Sequence, residues 1–137
     1  MPLMMVVVLL LASSSNSNTN NTNVAQGFGR KTHVKVNNFL DNDLDLTLHC
    51  KSADDDLGVQ ILRYDQNFEW SFVVNVFGTT LFYCSFQWEG EFHHFDIYKA
   101  ERDFFLCEDC IWSIKQDRPC RLDLALGNFS ACYPWNQ

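Results

Sequence analysis

The sequence predicts an all-β fold, an antiparallel β-sandwich of seven or eight short, disulfide-stapled strands, and three observations carry that expectation. Apolar residues alternate with polar ones at period two in run after run, whereas helical periodicity is nearly absent. Turn-forming residues separate the runs at short intervals. Six cysteines, an even number, all lie from Cys50 onward.

The chain begins differently. Leu3 to Leu11 is an uninterrupted apolar run, too short to span a bilayer, and the small residues Ala12, Ser13 and Ser14 follow it. That is the make-up of a secretory signal peptide rather than a membrane anchor. Ser13 to Asn23 is almost wholly Ser, Asn and Thr, a composition that cannot bury a core and so argues against a buried N-terminal helix or strand. Residues 1–25 are therefore expected to be a signal peptide and polar tract, cleaved somewhere between Ala12 and Ala25. Residues 26–137 are expected to form one domain, because about 110 residues suffice for one core but not for two.

Val34 and Val36 open the strand series. Leu44, Leu46, Leu48 and Cys50 then point one way while Asp43, Asp45, Thr47 and His49 point the other, which is the pattern of a half-buried strand. Phe68, Trp70, Phe72 and Val74 share a face, as do Phe82, Cys84, Phe86 and Trp88; Phe95 with Ile97 and then Cys110, Trp112 and Ile114 continue the series. Turns are expected at Asp41-Asn42-Asp43, Asp54 to Gly58, Gly78-Thr79, Glu89-Gly90-Glu91, Asp117-Arg118-Pro119 and Gly127-Asn128. Short strands with one apolar face each are best satisfied by two packed sheets, and twelve Phe with four Trp supply an aromatic core.

In a secreted chain Cys50, Cys84, Cys107, Cys110, Cys120 and Cys132 read as three disulfides, and sequence alone leaves their pairing open. A hairpin turning at Leu126-Gly127 would set Cys120 opposite Cys132, within disulfide reach. The other four would then form two bridges stapling the sheets. Asn128-Phe129-Ser130 is a glycosylation acceptor in an expected turn, and Asn20-Asn21-Thr22 is another.

The formal charge is −7, and every charged residue follows the polar tract. An acidic domain repels phosphate backbones and anionic membranes, so no nucleic acid and no membrane insertion is expected, and a basic partner face suits it better. Catalytic readings fare poorly. Cys107-Glu108-Asp109-Cys110 has redox-dithiol spacing, but its two acids disfavour a thiolate and Cys110 leads into a strand, so a structural disulfide is the better reading. The same compartment argues against a zinc site at Cys107, Cys110, Cys120 and Cys132. His33 and His49 fall on polar strand faces, and His93-His94 has no nucleophile motif beside it, so neither a catalytic residue nor a cofactor is expected. A ribonuclease-like hydrolase using His93 or His94, and a glycan-binding module using exposed aromatics, stand as the alternatives.

Asp54-Asp55-Asp56 lacks the spacing of a calcium loop, and no metal is expected there. A turn needs at most one Asp to cap its backbone, so the surplus charge marks Asp54, Asp55 and Asp56 as candidate partner-binding residues. If they are not, the loops around Gly78 and Gly90 are the next candidates.

The ordered set Leu46-Thr47-Leu48-His49-Cys50-Lys51-Ser52, Asp54 to Gly58, Trp70-Ser71-Phe72, Thr80-Leu81-Phe82 with Cys84, Phe86 and Trp88, Phe95-Asp96 with Tyr98, and Cys107, Cys110, Trp112 and Ile114 resembles the plant self-incompatibility S-protein family. The match runs from about His33 to Trp135. The resemblance implies a small, secreted, disulfide-bonded β-sandwich with no catalytic motif. The founding members are pistil-secreted ligands of a pollen membrane receptor, whose recognition of self pollen leads to calcium influx and growth arrest. A secreted, monomeric recognition ligand for a cell-surface receptor protein is the function expected on that ground. One departure is Asp117-Arg118-Pro119-Cys120, where the family usually carries a Gly-containing turn.

Overall fold

Thr32, Val34 and Val36 alternate with Lys31, His33 and Lys35, and the computed structural model, which describes residues 29–137, buries the first set and leaves the second toward solvent. The signal-peptide reading, its cleavage region and the Asn20 acceptor lie outside the described residues. Lys31–Asn38 is β1, followed by β2 (Leu46–Lys51), β3 (Asp56–Leu62), β4 (Asn67–Val73), β5 (Leu81–Trp88) and β6 (Glu91–Lys99). A single helical turn, α1 (Ala100–Asp103), leads to β7 (Asp109–Ile114), β8 (Pro119–Asp123) and β9 (Asn128–Cys132).

The strands form a five-stranded sheet in the order β4-β1-β7-β8-β9 and a four-stranded sheet in the order β3-β2-β5-β6. All neighbours are antiparallel except β1 and β7, which run parallel with Val34 beside Cys110 and Val36 beside Trp112. Nine described strands thus stand where seven or eight were expected. The addition is β3, whose first residues, Asp56 to Gly58, the sequence assigned to a turn. The turn itself is Ser52 to Asp55. At Asp117-Arg118 the chain turns from β7 to β8 without a glycine or a positive φ, so the departure from the family pattern leaves an ordinary corner.

Apolar residues from the two sheets meet in one core, with Val34, Val36, Leu46, Leu48, Phe86, Ile97, Trp112 and Ile114 fully buried. Aromatic rings join the layers. Phe72 of β4 lies 4.6 Å from Phe82 of β5, and Phe95 of β6 lies 5.2 Å from Trp112 of β7 in an edge-on contact, centroid to centroid. The tail after β9 closes one side, placing Trp135 against Phe86 and donating the Asn136 N–H to the His94 carbonyl at 2.8 Å.

The disulfides differ from the expected staples. Cys50 and Cys84 are register partners on β2 and β5, with Cα atoms 4.0 Å apart, and face the core. Cys120 and Cys132 are register partners on β8 and β9, also 4.0 Å apart, but only half-buried. Cys107–Cys110 closes the short approach to β7. None joins one sheet to the other, because each cysteine's nearest thiol lies on the adjacent strand or in the same loop. Packing and a buried charge cluster hold the layers together instead.

Candidate functional site

Strand direction sorts the turns into two groups. Ser52 to Asp55, Asn75 to Thr80, the α1 corner through Cys107, and Leu124 to Gly127 lie at one end of the sandwich; Leu40 to Asp45, the turn at Tyr64-Asp65, Glu89-Gly90 and Lys115 to Arg118 lie at the other. The structure therefore brings the acidic turn together with the Gly78 loop and separates both from Gly90.

Within the acidic turn, Ser52 does the capping. Its Oγ accepts the Asp55 N–H at 3.1 Å and the Asp54 N–H at 3.4 Å, and its own N–H donates to the Asp55 carbonyl at 2.8 Å. The Asp54 and Asp55 side chains are left with no hydrogen-bond or ion-pair partner among the described residues, and both are exposed. Asp56 is a different case. Its carboxylate accepts the Gly58 N–H at 2.9 Å and meets His49 Nε2 at 2.6 Å, and these two contacts, the backbone bond foremost, hold its pKa below the ordinary value. Gly58 takes a φ of +80° in this arrangement, which a residue with a Cβ would resist. The run of three acids thus divides into two unengaged carboxylates at the tip and one that fastens β3 to β2.

The Gly78 loop is held by its own side chains. Asn75 Oδ1 accepts the Thr79 N–H at 2.9 Å, Thr80 Oγ1 accepts the Asn75 N–H at 2.8 Å, and the Gly78 N–H donates to the Asn75 carbonyl at 3.0 Å. This bonding commits the backbone and leaves Phe77 84% exposed. Between the loop and the acidic turn lies a groove of about 470 Å³, lined by Asp54, Asp55, Asn75, Thr79, Leu81 and Tyr83 among others. Val76, Phe77, Phe105, Leu106, Leu124 and Leu126 are all exposed on turns of this end, whereas Tyr64 is the one described large apolar side chain exposed on the turns of the other. Apolar surface gathered in this way marks an interaction site more than scattered exposed side chains do. Sequence reasoning passed over these residues. For Phe77 and Leu126 the signal was an apolar residue beside a turn glycine; the other four carry only their place outside any alternating run.

The histidines do not assemble an acid–base pair. His93 stacks on both Trp88 and Trp135, at 5.1 and 4.8 Å, in a three-ring cluster whose two indoles lie 6.0 Å apart, with Nε2 2.9 Å from Glu91. His94 packs edge-on against Phe92, and His33 lies 3.6 Å from Asp109. His49 and His94 flank Ser85 in register on the outer face of the four-stranded sheet, with no side-chain hydrogen bond among the three. Exposed aromatics are spread over several surfaces: Tyr83 lines the groove, Phe92 stands on the outer sheet face, and Phe77 and Phe105 stand on loops. Among the described residues, no group of three or more His, Cys, Asp or Glu is placed to hold a metal ion, and no helix is long and apolar enough to cross a membrane.

Residues 33–135 match the family model described as plant self-incompatibility protein S1. Among curated proteins, the chain is 45% identical to S-protein homolog 5 of Arabidopsis thaliana over 108 residues, covering 79% of this chain and 80% of that protein. It is 46% identical to S-protein homolog 2 of the same plant over 112 residues, covering 78% and 70%. A solved structure of a self-incompatibility protein homologue, described as belonging to a widespread family of small, highly stable, secreted plant proteins, aligns with a TM-score of 0.54 at 20% identity, covering 80% of this chain and 97% of that one. That likeness shows the shared sandwich, and the sequence matches show the lineage: the chain belongs to the plant self-incompatibility S-protein family.

Proposed function

We propose that this protein is a secreted recognition ligand that binds a cell-surface receptor protein through the end of the sandwich bearing the acidic turn and the Gly78 loop. The observation that carries the reading is the pair of unengaged carboxylates, Asp54 and Asp55, on a groove they share with Asn75 and Thr79 of the loop that bears exposed Phe77. Ser52 caps the turn, so their charge has no role within the fold and is available to a basic partner face. Family membership supports secretion and recognition, and the rigid strands hold the loops in place for specificity. The protein acts by binding rather than by catalysis, and Asn128, exposed at the same end, carries an N-linked glycan beside the Leu124 to Gly127 turn.

Replacing Asp54 and Asp55 with Asn keeps turn-forming side chains and removes charge. Thermal stability should stay the same, while binding to a receptor-bearing cell surface should weaken about two- to tenfold at low salt. The difference should shrink as the Debye length falls to about 8 Å near physiological ionic strength. Equal binding by parent and variant across salt concentrations would leave the acidic turn outside the recognition surface.

A further inference from the structure

Each sheet has two edge strands, and a sandwich must keep them from pairing with other chains. Three of the four edges are guarded. The C-terminal tail lies along β6, bonding its Asn136 N–H to the His94 carbonyl. The short edge strand β9 is tied to β8 by Cys120–Cys132, and β4 carries Glu69 at its centre. The fourth edge, β3, pairs only with β2. It has no charged residue from Leu57 to Leu62, and its outward side chains Val59 and Ile61 are 59% and 65% exposed. An inward or central charge and a proline are missing from it, and its one irregularity, the register shift at Gly58, lies at the start of the strand and leaves Val59 to Leu62 regularly paired.

Charge along this strand is polarised. Asp54, Asp55 and Asp56 precede its apolar stretch, whereas Arg63 follows it directly and is balanced by Asp65 in the turn beyond, so the two ends are unequal in charge. An antiparallel second copy would bring Arg63 of each chain toward the acidic end of the other, whereas a parallel one would set like charges side by side. Pairing about Gln60 also places Val59 of each copy opposite Ile61 of the other on one face, so that the two exposed apolar pairs cover each other. We propose that the β3 edge is a homodimer interface, in which two copies pair antiparallel and their four-stranded sheets become one continuous eight-stranded sheet.

The contact is narrow, so the dimer should be weak, with a dissociation constant in the micromolar range or above. The test is sedimentation velocity of the oxidised, secreted protein from micromolar to near-millimolar concentration. Parent protein should shift toward the dimer as concentration rises. Ile61→Lys, at an exposed position, should keep the parent's circular dichroism and raise the dissociation constant at least tenfold. Arg63→Asp, acidic at both ends of the strand, and the triple variant Asp54→Lys, Asp55→Lys and Asp65→Asn, net basic at both ends, should each stay monomeric alone and associate when mixed. A parent that remains monomeric throughout, or an association that Ile61→Lys leaves unchanged, overturns the proposal. So does a monomeric parent in which Ile61→Lys weakens receptor binding, since the edge would then take a strand from the receptor.

Discussion

Asp103 has no accessible surface and is ion-paired to two arginines in the interior between the sheets. Arg102 grips it with two bonds of 2.7 Å, the Lys99 N–H donates to it at 3.0 Å, and Arg121 approaches to 3.5 Å. The Arg102 guanidinium also lies 4.8 Å from the Tyr133 ring centroid and 5.1 Å from that of Phe95, so the cluster ties α1, β6, β8 and the tail together. Asp103→Asn would leave two largely buried guanidinium groups without their counter-charge. The expected cost is about 3–5 kcal/mol, read from the urea midpoint of purified protein. Glu101-Arg102-Asp103 looks in sequence like any solvated charged stretch, because nothing local indicates that one carboxylate points inward. Asp56 offers a gentler test. Its folded pKa is depressed by the Gly58 N–H and then by His49, so its contribution is present above the unfolded value of about 3.9 and fades as pH falls through the lower folded value. Asp56→Asn should flatten the acid limb of the stability–pH curve below about pH 4 and leave its shape at neutral pH unchanged.

Among the elements, the hairpin of β8 and β9 was the most legible, since a turn at Leu126-Gly127 sets Cys120 opposite Cys132 by counting alone, and the structure pairs them in register. The strand β3 was the least. Its apolar Val59 and Ile61 face solvent rather than core, and Gly58 within it imitates a turn signal, so the period-two pattern offered no inward face to recognise. The three disulfides should differ in strength by the chain each one closes. Cys107–Cys110 spans 3 residues, Cys120–Cys132 spans 12 and Cys50–Cys84 spans 34. Loop-closure entropy then assigns them about 2, 3 and 4 kcal/mol. Paired Cys→Ser variants should lose stability in that order by denaturant titration, with the Cys50–Cys84 loss enlarged by placing hydroxyls in the core. A reversal of the order would mean that native-state packing, not unfolded-state entropy, governs these bridges.

Over the described sandwich, one end gathers exposed apolar turns, the unengaged acids and Asn128, the tail closes the β6 side, and the β3 edge stays open. The residue pattern alone was enough to show which residues face inward on most strands, where most of the turns fall, that a core rich in Phe and Trp would form, and which cysteine faces which across the last hairpin. Those features follow from periodicity and turn chemistry, which act between residues a few positions apart. Long-range strand pairing set β1 parallel to β7, joined Cys50 to Cys84, brought Asp54 and Asp55 to one groove with the Gly78 loop, and placed Asp103 between two arginines. Each of these depends on which strands become neighbours. That choice is made by the joint burial of surfaces far apart in the chain, and an alternating strand pattern is equally compatible with several neighbours.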